Sequence, residues 1–363
     1  LLEFLSVSRT FDLSNDIPRG GKMPVRASVL KYAVALAIGA AGAASAVAQE
    51  VNLYTTREPG LVRPLIDAFT KATGAKVNTV FVKDGLPERV AAEGARSPAD
   101  VLMAVDMGNM ADLVEKGVTQ PVDSAVLRQA VPANLRDPGN QWFAVSTRAR
   151  VIYASKKLGL KSIAYEDLAA PKFKGRVCIR SGQHPYNTAL IAAIIAEHGA
   201  QKTEEWLTGV KANLGRRPGG GDRDIARDIL AGICDVGVAN SYYVGLMRSG
   251  QGGPDQQKWA EAIDVVLPTL GGKGTHVNIS GVALAKNAPN KAAAIRLMEW
   301  LVSPEAQDIY AKGNYEHPVT AGAKLDPIVA SFGDLKVHPL TVGEIVKHRR
   351  QASELVDKTG FDK

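Results

Sequence analysis

The stretch ANSYYVG, residues 239–245, sets two adjacent tyrosines, Tyr242 and Tyr243, at the end of the apolar run CDVGVAN, Cys234 to Asn240. A short apolar run of this kind reads as a buried strand covered on both faces. Within a continuing strand, neighbouring side chains point to opposite faces, and two phenols do not converge. At a turn into a helix they do, because adjacent helical residues lie only about 100° apart around the axis. Ser241 fits an N-cap there, and Gly245 lets a neighbour come close. The phenol oxygens then meet at a strand's carboxyl end, where open α/β sheets bind ligands. Phenolate oxygen is a hard donor suited to a hard cation. An isolated Tyr-Tyr pair more commonly packs one ring inside and hydrogen-bonds the other at the surface, so the rest of the chain decides.

Upstream, EVNLYTT reads as a strand, PLIDAFTKATG as a helix, KVNTVFV as a strand, LPERVAAEG as a short helix and ADVLMAV as a buried strand ending at Asp106. That alternation predicts a parallel sheet with crossover helices. QWFAVSTRARVIYAS, residues 141–155, is longer than a normal strand and carries Arg148 and Arg150, as expected of a segment passing from one lobe to another. RVCIRS, a helix opening near Pro185, the Trp206 helix, the helix after Gly221-Asp222 and CDVGVAN form a second α/β unit. IDVVLPTL leads to HVNISGVALAK, residues 276–286, a second extended segment running back. Helices KAAAIRLMEWLVS and PEAQDIYAKG follow, Pro304 taking a favourable first-turn position after Ser303. The remainder to Lys363 reads as largely helical. Two α/β lobes joined by two extended crossings enclose a cleft that closes by hinge motion.

Lys and Arg number 44 against 37 Asp and Glu in 363 residues. Residues 1–48 hold five of the basic and three of the acidic groups, leaving 39 against 34 spread over both halves. No Lys or Arg run points to nucleic acid. From Met23, two basic residues, a short apolar run and Ala46-Val47-Ala48 make residues 23–48 a secretory signal peptide cleaved near Ala48. The run is too short for a stable membrane span, and no Cys follows it to carry a lipid. Residues 1–22 read as an over-extension ahead of the true start. Cys178 and Cys234, each in an apolar run, either bridge adjacent strands in an oxidising compartment or stay free in the core.

In order, NLYTTRE, SPADVLM, STRARV, PKFKGRVCIRSGQHPYN, CDVGVANSYY and NISGVALAK resemble the periplasmic ferric-ion-binding proteins, the extracytoplasmic receptors of iron ABC importers. The resemblance covers Glu50 to Lys363. It implies an α/β, two-lobed, type 2 periplasmic-binding-protein fold with an N-terminal lobe of 49–148 and 278–323 and a C-terminal lobe of 149–277 and 324–363. It implies Fe(III) in the cleft, held by Tyr242, Tyr243 and Tyr186, with a synergistic anion such as carbonate on Arg148, whose planar fork suits a bidentate oxyanion. Free backbone N–H groups at the helix start near Tyr186 would favour that anion. Gln183, His184 and Asp222 are further candidates to shape its pocket. A membrane permease with a separate ATPase subunit is the expected partner, and a periplasmic monomer the expected form.

The first lobe departs from the family pattern. Glu58-Pro59 stands where many relatives place His, and Val105 where some place a carboxylate, with Asp106 one step along. Glu58 either supplies an oxygen ligand or pairs with Arg57 at the surface. Three phenolates neutralise a ferric ion; carbonate and Arg148 then leave one negative charge, and a liganding Glu58 makes it two, a cost that Arg57, Lys83 or Arg180 would offset if near. The alternative is a receptor of the same fold for an oxyanion or organic acid, since tyrosines also donate hydrogen bonds. An enzyme is disfavoured: HExxH, CxxC and GxSxG are all missing. GGKGTH at 271–276 and GGGD at 219–222 read as turns, and Tyr54, Tyr153 and His184 more commonly serve packing or local hydrogen bonds.

Overall fold

A computed structural model gives the structure of residues 50–363; the signal segment and the residues before it lie outside the described residues. The strands are β1 (Glu50–Thr55), β2 (Lys76–Phe81), β3 (Val101–Val105), β4 (Thr119–Gln120), β5 (Phe143–Ser155), β6 (Val177–Cys178), β7 (Val236–Asn240), β8 (Ile263–Val266) and β9 (Val277–Ala285). They order as β2-β1-β3-β9-β5-β7-β6, with β4 on β9 and β8 on β5. β1 pairs in parallel with β2 and β3, the helices Pro59–Thr73 and Leu86–Glu93 making the crossovers, as the alternation predicts.

The 13-residue β5 is buried along its whole length. From Phe143 to Ala149 it pairs antiparallel with β9, and from Arg150 to Ala154 with β7, after a bulge between Ala144 and Ser146 that bends the strand. A single segment therefore joins both ends of the sheet, which accounts for its length. Its side chains alternate between faces. Ala149, Val151 and Tyr153 join a cluster with Tyr242 and Tyr315, while Ile152 and Ala154 join the larger core.

Cys178 and Cys234 are disulfide-bonded, with Cα atoms 5.8 Å apart. The parallel pairing of β6 with β7 brings them together, although Cys234 lies just before β7 rather than within it. The C-terminal stretch is less helical than expected. Only Pro327–Ala330, Val342–Val346 and Arg349–Lys358 form helices, because Gly322 and Gly333 take left-handed φ of 82° and 96° and Pro339 removes a donor. No helix among the described residues is long and apolar enough to cross a membrane.

Candidate metal centre

β7 ends at Asn240, and the helix Ser241–Arg248 starts at once. This break from strand to helix is what lets Tyr242 and Tyr243 turn the same way: their ring centroids lie 4.1 Å apart at 32°. Ser241 does not cap the helix. It is the first helical residue, and its Oγ accepts the Ala149 N–H at 3.2 Å, tying the helix to β5. Gly245 does permit a close approach, since a Cβ there would lie 2.1 Å from the Tyr315 ring.

Tyr186 comes from the first turn of the helix Pro185–His198, with Pro185 at its start and His184 as the cap. The His184 Nδ1 accepts the Tyr186 N–H at 3.2 Å, and its ring meets the Tyr186 ring edge-on at 4.5 Å. Tyr186, Tyr242, Tyr243 and Glu58 line one cavity of about 350 Å³, together with Arg180, Lys83 and His184. Glu58 is exposed at the start of the helix Pro59–Thr73 and makes no capping bond. It does not pair with Arg57, which turns inward: Nη2 lies 3.0 Å from Glu316 Oε1, and Nη1 donates to Ser280 Oγ at 3.0 Å. Asp106 is buried and caps the next helix, Met107–Glu115, by accepting from the Gly108 N–H, so it is spent on structure. Among the described residues no three His, Cys, Asp or Glu side chains gather as a metal site. Phenol oxygens of three tyrosines, with the exposed carboxylates of Glu58 and Asp84, are oxygen donors that this cavity offers an ion.

Arg148 is fully buried behind Tyr186, with its guanidinium carbon 5.5 Å from the ring centroid, and is not on the cavity wall. Its Nη1 donates to Ser280 Oγ at 3.0 Å, while Nε and Nη2 have no partner. A buried guanidinium with two idle donors and no carboxylate is an unusual expense, and it fits an oxyanion. Arg150, two residues along the same strand face, has by contrast a carboxylate partner and bonds on both Nη atoms, with only its Nε unpartnered. Its Nη1 lies 2.7 Å from Asp222 Oδ2, and its Nη2 donates to Asn187 Oδ1 at 2.6 Å. Arg180 shares the other Asp222 oxygen at 3.2 Å.

The remaining anion candidates divide. His184 reaches the cavity, but Asp222 is buried among arginines and Gln183 faces the C-terminal helix, bonding Ser353 and Asp357; neither lines the cavity. The helix start near Tyr186 offers no free N–H either. Pro185 has none, Tyr186 donates to His184 Nδ1, and Asn187 donates to the His184 carbonyl at 2.8 Å. Sequence reading missed the Arg150–Asp222–Arg180 cluster; the Arg-x-Arg spacing on one strand face was its only signal.

Burial raises the Tyr242 phenol well above the ordinary range, with Tyr186 and Tyr243 adding to it. Burial likewise raises Tyr243, helped by Tyr186 and Asp222. Both phenols therefore hold their protons at neutral pH unless a cation drives them off. Burial, then Arg180, lowers His184 to about 4, so it is neutral there. Burial raises the Asp222 carboxyl, yet Arg150 and Arg180 outweigh it and keep the group below its usual range. As expected, Tyr153 is a core residue donating to the Asn240 carbonyl at 2.8 Å, and Tyr54 bonds Glu93 at 3.3 Å.

The model of the family described as bacterial extracellular solute-binding protein matches residues 96–331. The chain is 40% identical over 316 residues, 86% of this chain and 88% of the relative, to Iron uptake protein A1 of Synechocystis. It is similar to a Bordetella ferric binding protein, at 65% identity and a TM-score of 0.83 over 86% of this chain and 100% of that one. A Trichodesmium protein solved in complex with iron and citrate ligands shares 43% identity and a TM-score of 0.82, over 86% and 99%. These relatives are solute-binding proteins, not enzymes. With that sheet and those neighbours, the chain belongs to the bacterial extracellular solute-binding protein family and has the two-lobed type 2 periplasmic-binding-protein fold.

Proposed function

We propose that this protein is the periplasmic receptor of an iron(III) ABC importer, and that Fe(III) is its cargo. The observation that carries the reading is one cavity lined by three tyrosines from two distant stretches, beside a buried Arg148 with two unpaired donors. Tyr186, Tyr242 and Tyr243 hold the ion as phenolates, and Arg148 holds a carbonate-like anion. Glu58, exposed on the same wall, completes the shell or yields its place to water. The lobes are 49–148 with 278–323 and 149–277 with 324–363, and the cleft closes over the ion before a membrane permease receives it.

Charge balance supports this assignment. Three phenolates, a doubly charged anion and Arg148 leave one negative charge around a ferric ion. Arg150 and Arg180 share the single carboxylate of Asp222, so that cluster carries one net positive charge beside Tyr186. Lys83 on the wall is available against Glu58. Arg57 is not, since Glu316 already neutralises it. The buried site thus nears neutrality when loaded, which is what a low-dielectric environment demands.

The test is to add ferric ion and bicarbonate to iron-stripped protein and record the visible spectrum. A phenolate-to-iron charge-transfer band is expected, lost when Tyr242→Phe and Tyr243→Phe are combined, and no longer bicarbonate-dependent in Arg148→Gln. No band in the parent protein, or an undiminished band in the double variant, sinks the assignment. Tight oxyanion binding without iron would favour the alternative receptor.

A further inference from the structure

Tyr186 is reached from β6, a strand of only two residues, through the loop 179–184, so few ladder bonds from the sheet hold the approach to it. From the inside, Asn187 Nδ2 donates to the carbonyls of Arg180 and Ser181 at 2.9 and 3.0 Å. On the other side, the donors of the loop converge on one carboxylate, that of Asp362. The Ser181 hydroxyl donates to Oδ2 at 2.6 Å, the Gly182 N–H to Oδ1 at 2.8 Å and the Gln183 N–H to Oδ2 at 3.4 Å. The contact is flush, since a Cβ on Gly182 would lie 2.9 Å from Val356 and 3.0 Å from Phe361.

Asp362 is itself held. Gly360 takes a left-handed φ of 56° just past the helix Arg349–Lys358, which turns the chain back on the helix end. The Phe361 N–H then reaches the Val356 carbonyl at 3.0 Å, and the Phe361 side chain is buried. Arg217 Nε donates to the Asp362 carbonyl at 2.8 Å, and Lys211 Nζ to that of Thr359 at 3.0 Å. A carboxylate gathering several donors of one loop fixes it more firmly than neutral acceptors would. The Ser181 carbonyl accepts the His184 N–H at 3.1 Å, and His184 Nδ1 accepts the Tyr186 N–H at 3.2 Å, which carries the placement of the loop on to the phenol. We infer that Asp362, which is not on the cavity wall, is a positioning residue for iron binding: it locks the 181–183 loop and thereby sets where the Tyr186 oxygen stands when the ion arrives. The inference deepens the iron reading and rests on Tyr186 as a ligand.

Iron-stripped protein is titrated with ferric ion and bicarbonate and followed at the charge-transfer band. Asp362→Ala should weaken ferric ion about tenfold, the usual effect of losing a group that orients a metal ligand, and lower the band towards that of Tyr186→Phe. Asp362→Asn, whose amide can accept the Gly182 N–H and donate to the Ser181 oxygen, should stay within about threefold of the parent. Ser181→Ala, which removes one of the bonds from the loop side, should act in the same direction as Asp362→Ala. The deciding comparison is made in a Tyr186→Phe background, where Asp362→Ala should weaken iron no further. A loss there as large as in the parent would mean that Asp362 only supports the fold and would overturn the inference; so would an Asp362→Ala protein that binds as the parent does. Urea unfolding curves establish that the variants are folded when titrated. If Tyr186→Phe itself changes neither band nor affinity, the Tyr186 assignment fails and the inference with it, a result distinct from loss at Tyr186 without loss at Asp362.

Discussion

With the three phenols proposed as ligands, iron uptake should release one proton for each of them. A phenol at pH 7 lies about three pKa units below its ordinary midpoint, so ionising each costs about 4 kcal/mol. Tyr242 and Tyr243 cost more, because burial raises both further. Three phenols line the cavity, so the ferric ion has to supply roughly 12 kcal/mol or more before any net affinity remains. Each displaced proton makes the binding constant rise tenfold per pH unit. The logarithm of the constant should therefore climb with a slope of about three between pH 6 and 7.5, or about four where bicarbonate binds as carbonate. A carboxylate ligand adds nothing in this range. The assay is competition for iron against a chelator of known protonation, read at the charge-transfer band. The sharper measurement is a difference: Tyr186→Phe, Tyr242→Phe and Tyr243→Phe should each lower the slope by one, whatever the anion does. A slope that stays unchanged in any of the three removes that phenol from the coordination sphere, and a parent slope near zero refutes phenolate binding altogether.

Asp222→Asn leaves Arg150 and Arg180 facing a neutral amide in a buried cluster, and a urea midpoint should record a loss of about 3–5 kcal/mol. Reducing the Cys178–Cys234 bridge, which spans 56 residues, should cost about 4 kcal/mol on the chain-entropy account; reductant should lower the parent's midpoint and leave a double Cys→Ser variant unmoved. His276 is buried, its Nε2 unpartnered, and burial together with Arg150 lowers it to about 3. Its contribution to stability is complete above the unfolded value near 6.5 and is lost as the pH falls, because only the unfolded chain then gains the proton. At pH 5 the loss reaches about 2 kcal/mol, and His276→Gln should flatten the pH dependence of the urea midpoint between 7.5 and 5.

The tyrosine pair was legible because the features that aim it are local: a five-residue strand, an abrupt helix and a period change between adjacent residues. The crossing was legible from length alone. The roles of Asp222, Gln183 and Arg57 were not, for a common reason. Arg150 meets Asp222 across 72 positions, Gln183 meets Ser353 across 170, and Arg57 meets Glu316 across 259. Such pairings leave no periodic trace, and a charged residue in a loop reads the same whether it faces a ligand or a distant partner. The helix start at Pro185 misled for a subtler reason: its idle N–H groups exist in principle, but the imidazole and carbonyl of His184 already occupy them.

The handover within β5 sets Arg148, the proposed clamp of the counter-ion, beside the point where the strand changes partners. Arg148 still pairs with Asn278 of β9, whereas Arg150 already pairs with Asn240 of β7, next door to the tyrosines. In the proposed closure, a swing of one half of the sheet against the other would bend β5 where it changes partners, one residue from Arg148. On the proposed reading, an anion held at Arg148 would act as a brake on reopening, and its departure would release that brake.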